Sequence, residues 1–164
     1  MAKRATKESY QRTANRVLKA LLAMPNNGLT KRHRGGWFSR RDHRGTVRTY
    51  FMIGHPPYRD RDKCLRLSLY NGQRLHSHPE HLSSWQSRRP KLRWYGGAIR
   101  MTDGGSLSFW GLPEKANEAL VLMVALIRGR ISFHEEIGFI TTESQNDLFF
   151  KFGEYLCSRL GWFK

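Results

Sequence analysis

The chain has 164 residues, 39% of them apolar and 12% aromatic, which is enough for one domain with a core and excludes general disorder. Its formal net charge is +16, from 29 Lys and Arg against 13 Asp and Glu, a balance that selects polyanions as the commonest class of partner. The most apolar run, residues 119–127, is far too short to cross a bilayer.

In chain order, the first predicted element is an amphipathic helix over residues 6–24. Tyr10, Ala14, Val17, Leu18, Leu21 and Leu22 recur at helical spacing, Thr6 is placed to cap the helix, and Pro25-Asn26-Asn27-Gly28 ends it. Residues 29–45 hold little that could fill a core and read as a basic loop or arm. A strand is predicted over 46–53, which is β-branched and aromatic. The turn-forming stretch 55–62 leads to a second strand over 64–70, where Leu65, Leu67 and Leu69 alternate with Cys64, Arg66, Ser68 and Tyr70. Residues 71–91 read as a long polar loop. Strands over 92–101 and 106–110 flank Thr102-Asp103-Gly104-Gly105, a hairpin signal.

The last third is predicted helical. Pro113 suits a first turn, residues 116–128 are apolar nearly all round and should be buried, and Gly129 is a stop. Ser132 with Glu135, and Ser144 with Asp147, have capping-box spacing. They predict a short helix reaching Phe139 and a helix over 145–160 with Leu148, Phe152, Tyr155, Leu156 and Leu160 on one face. The expected fold is a single α+β domain over 1–164: an N-terminal helix, a small antiparallel sheet of about four strands, and C-terminal helices packed on the sheet.

The charge is concentrated. Residues 1–100 hold 23 basic and 5 acidic side chains, whereas 101–164 hold 6 and 8. The basic set is 20 Arg and 9 Lys, and arginine's planar fork suits phosphate and stacks on bases. Two segments carry the expected contacts to nucleic acid. One is Lys31, Arg32, Arg34, Arg40, Arg41, Arg44 and Arg48, with Trp37 available for stacking. The other is Arg88, Arg89, Lys91, Arg93 and Arg100, with Tyr95 beside them.

His76-Ser77-His78-Pro79 resembles part of the metal motif of JAMM-type metalloproteases, which would imply a zinc hydrolase. The Ser and Asp that complete that motif fall here on Gln86 and Arg89, and Glu8 is the only Glu upstream. His76, His78 and His81 are the candidate metal ligands, without an evident fourth. Cys64 and Cys157 form no paired motif, so a reducing, cytoplasmic or otherwise intracellular setting is expected. The expected function is non-catalytic binding of nucleic acid, with RNA, single strands or distorted DNA favoured, inside a larger nucleoprotein assembly. No cofactor and no membrane contact are expected, and a protein partner would dock on the C-terminal helices. The alternatives are a small nuclease using the histidine loop and an inhibitor that binds an acidic protein.

Overall fold

The structure, a computed structural model, describes residues 6–163. Helix α1 (Lys7–Ala23) starts where Thr6 Oγ1 accepts a hydrogen bond from the Ser9 amide at 3.3 Å, and it buries Tyr10, Ala14, Val17, Leu18 and Leu21. Strands β1 (Gly35–Arg41) and β2 (Val47–Gly54) form one antiparallel pair. Helix α2 (Arg61–His76) follows, and then the hairpin of β3 (Ala98–Arg100) and β4 (Ser106–Trp110). Helices α3 (Glu114–Ile127), α4 (Gly138–Ser144) and α5 (Asp147–Leu160) complete the chain. The sheet order is β2-β1-β4-β3, antiparallel throughout, so the fold is α+β as expected.

The two faces of the sheet differ in chemistry. Phe38, Phe51, Leu107 and Phe109 are in register on one face and make the core beneath α1 and α3, with Phe38 and Phe51 stacked at 5.0 Å. Helix α3 is buried from Ala116 to Ala125, as its apolar composition requires, because α1 and the sheet cover it on one side and α5 on the other. The opposite face carries Ser39, Ser106, Ser108 and Ala98 under α2. These small side chains let the helix approach closely: Ser68 Oγ lies 2.9 Å from Ser39 Oγ and donates to the Ser108 carbonyl at 3.3 Å. Helix α2 stops short of β2, whose Tyr50 is left 50% exposed.

Five expectations are corrected. Residues 64–70 belong to α2 and not to a strand. The buried positions of α2, Cys64, Ser68, Asn71, Gly72 and Leu75, follow a helical period, but all except Leu75 are too small or polar to signal it. The alternating leucines are only partly buried, on the helix flanks. Residues 35–41 are a central strand and not part of an arm, because Gly35, Gly36, Phe38 and Ser39 are buried between β2 and β4. The 71–91 loop is shorter than expected, since α2 runs on to His76. Within 92–101 only Ala98–Arg100 is strand; Arg93 has a left-handed φ of 57°, and Gly97 has φ 114° with no room for a Cβ beside the Phe109 carbonyl. At the C-terminal end Asn146, not Ser144, caps α5.

Candidate nucleic-acid interface

Residues three and four apart on α2 share a face, which places Lys63, Arg66, Leu67 and Tyr70 in one outward row. Arg93 and Tyr95 face this row from the loop after α2. Together they line a groove of about 800 Å³, and among its lining residues there is no carboxylate. Tyr70 is 43% exposed, and Tyr95 is braced against Trp110 at 5.0 Å.

The loop is held by a buried arginine. Arg74, 4% exposed, donates from Nε to Ser87 Oγ at 2.9 Å and from Nη1 to Asn71 Oδ1 at 3.1 Å. Its Nη2 donates to the Ser84 carbonyl at 2.8 Å and also to the Tyr95 carbonyl. Burial pulls its pKa down to about 10, which leaves it charged at neutral pH. Asn71 adds a bond to the Gly96 carbonyl at 3.1 Å. Arg88 is bidentate on Glu114, both bonds 2.8 Å, and the same carboxylate accepts from the Gly96 amide. The groove wall is therefore preorganised by α2 and α3.

Lys63 also lines a second hollow of about 320 Å³ at the start of α2, with Arg32, His33, Arg59 and Trp110. Asp60 is there too, 3.9 Å from Arg59. The two basic segments picked out in the sequence thus converge on α2: Arg32 at one end, Arg93 at the other, Lys63 and Arg66 between. Sequence reasoning missed Lys63, Arg66 and Tyr70. Their 63, 66, 70 spacing was a usable helical signal, masked by the alternation of leucines.

The other expected contacts divide by position. Lys31, Arg32, Arg34, Arg44, Arg89, Lys91 and Arg93 are exposed. Arg48 is exposed but pairs with Asp42 at 2.6 Å. Trp37 is half-buried, directly opposite Trp110 and 6.1 Å from the Tyr50 ring. Arg41 and Arg100 are occupied by the fold. Arg41 donates to the carbonyls of Gly45 at 2.7 Å and Leu69 at 3.1 Å. Arg100 donates to His81, Leu75 and His78 carbonyls at 2.8, 2.7 and 3.0 Å, closing the C-terminal end of α2. Burial lowers the pKa of both. Arg40 turns to the other face of the sheet, its guanidinium 5.3 Å from the Tyr10 ring centroid.

The histidines do not gather around one point. His76 ends α2 beside Gly45, whereas His78 and His81 stack at 4.9 Å and His78 Nδ1 lies 2.8 Å from the Arg74 carbonyl. Among the described residues no three His, Cys, Asp or Glu side chains are grouped as metal ligands, and no helix is long and apolar enough to cross a membrane. Comparison with protein-family models, with curated proteins and with solved structures gives no match.

Proposed function

We propose that this chain is a non-catalytic nucleic-acid-binding protein that takes an unpaired segment along α2. One observation carries the reading: Lys63, Arg66 and Arg93 share a carboxylate-free groove with Tyr70 and Tyr95. Cations at that spacing neutralise successive phosphates, and tyrosine faces accept bases that a duplex would keep stacked. Lys31, Arg32, Arg89 and Lys91 extend the positive field beyond both ends. The free thiols of Cys64 and Cys157 support a reducing compartment. An apolar groove of about 320 Å³ between α3 and α5, rimmed by exposed Phe133, Phe150 and Phe163, supports a protein contact on the C-terminal side within a larger assembly.

The test is a salt titration with a fluorescent oligonucleotide, single-stranded and duplex, on the wild type and on Lys63→Gln/Arg66→Gln/Arg93→Gln. Single-strand contacts contribute about 0.7 each to the slope of log affinity against log salt, so three should remove roughly 2 from it. Tyr70→Ala should weaken single-strand binding by about 1–3 kcal/mol and leave the salt slope alone. An unchanged slope in the triple variant, or tighter binding to duplex than to single strand, defeats the proposal.

A further inference from the structure

On the face of the sheet opposite α2, two arginines from distant parts of the chain meet at one buried ring. Arg40 of β1 and Arg128, just beyond α3, each place the guanidinium carbon 5.3 Å from the centroid of Tyr10, which is fully buried. Among the described residues no carboxylate lies within 4.0 Å of either guanidinium; Asp103, on the turn before β4, is with Arg130 at 3.9 Å instead. Arg128 Nη2 donates to Ser9 Oγ at 3.2 Å, but the Nε atoms of Arg40 and Arg128 are both buried without a protein partner. So is Thr49 Oγ1, and Thr49 is the residue directly opposite Arg40 on β2.

A ring face attracts one cation but offers no oxygen to its N–H groups. Two like charges on one ring repel, and a buried polar atom without a partner opposes folding. The Tyr10 hydroxyl does not relieve this, since it is directed at Met101 Sδ, 4.0 Å away. Arg40 Nε, Arg128 Nε and Thr49 Oγ1 are all able to donate, which selects an acceptor that is anionic and has several free oxygens. A phosphate group meets that description better than a carboxylate, because it brings close to two charges and oxygens in more than one plane.

We infer that Arg40, Arg128 and Thr49 form a binding site for a phosphate group against Tyr10. The site is on the other side of the sheet from the α2 groove and does not rest on the nucleic-acid reading.

The test uses the full chain and inorganic phosphate, with sodium chloride adjusted to hold ionic strength constant. Melting temperature and the phosphorus-31 linewidth of phosphate are followed in the wild type, Arg40→Gln, Arg128→Gln, Arg128→Lys and Lys63→Gln/Arg66→Gln. Expected are a phosphate-dependent rise in melting temperature, its loss with at least tenfold weaker binding in both Gln variants at the sheet face, and its retention in the α2 variant. Arg128→Lys keeps the charge and loses the fork, so it should bind several-fold more weakly than wild type. A 5′-phosphorylated dinucleotide is then compared with its 5′-hydroxyl twin. Tighter binding of the phosphorylated form than of inorganic phosphate identifies a strand end as the source, and the reverse order identifies the free ion. Either order supports the site. Equal phosphate response in wild type and both Gln variants overturns it, as does loss of the response in the α2 variant alone.

Discussion

Arg74→Met is the substitution that bears most directly on how the groove is built. The methionine keeps much of the aliphatic stem but removes every donor, leaving the Tyr95 carbonyl and Asn71 Oδ1 without their partner and the Ser84 carbonyl with only the Ser87 hydroxyl, 3.4 Å away. Asn71 and Ser84 are fully buried, so water reaches these groups poorly. Orphaning a buried acceptor costs about 1–3 kcal/mol, whereas dispensing with the desolvation of a guanidinium returns several. The net loss should be about 3–4 kcal/mol, a fall in melting temperature on the order of 10 °C for a domain of this size. Arg74→Lys, with one point charge for four acceptors, should lose about half as much. Urea unfolding measures the stability, and amide hydrogen exchange at Gly96, Ala98 and Trp94 measures the loop locally. Faster exchange there, with exchange in α5 raised no more than the global loss requires, is the expected pattern. A loss below about 1 kcal/mol with unchanged loop exchange would refute the reasoning. It would show that Asn71, Ser84 and Glu114 hold the loop and that the guanidinium is incidental.

The remaining expectations concern the core and pH. Phe152→Ala empties a fully buried site on α5 and should cost about 3–5 kcal/mol in thermal or urea melts. Because α5 lies beyond α3 from the groove, oligonucleotide affinity should be retained at a temperature where the variant is folded; its loss would place the interface on the wrong side. Glu118 is fully buried, and burial raises its pKa despite donation from Ser144, Asn146 and Ser83. A carboxyl that holds its proton more tightly when folded supports the fold below its unfolded pKa and loses that support as pH rises through the folded value. Glu118→Gln stays neutral, so its stability relative to wild type should rise as pH climbs above the ordinary carboxylate range. A difference independent of pH would show that burial does not govern this carboxyl.

What was legible in the sequence follows burial chemistry. Helices α1 and α3 and the β3–β4 turn announce themselves because large apolar residues or an Asp-Gly pair sit where geometry demands them. Helix α2 does not, because the residues that face the sheet are Cys, Ser, Asn and Gly, chosen for size and not for hydrophobicity. The same limit applies to the site. Local composition identified the exposed cations at 31–34 and 89–93, but it gave no means of separating them from Arg41, Arg88 and Arg100. The acceptors for those three, such as Leu69, Glu114 and Leu75, are far away along the chain. An arginine's role was decided by which carbonyls the fold brings to it.

The strand order also governs how the chain can acquire its shape. Phe38 meets Phe109 at the centre of the sheet, so the β1–β4 seam joins segments separated by a hairpin, a helix and a long loop. Closing such a span costs entropy before any contact is gained, which slows folding relative to a helical bundle of equal size. During synthesis the seam cannot zip until Ser106–Trp110 exist. Until then β1 has β2 on one edge and unpaired backbone on the other, within the first hundred residues, which hold 23 of the 29 basic side chains. A nascent segment with that edge and that charge is drawn to any polyanion nearby before its own second hairpin arrives. Refolding from urea should therefore slow when nucleic acid is present from the start and proceed normally when it is added after the sheet has closed.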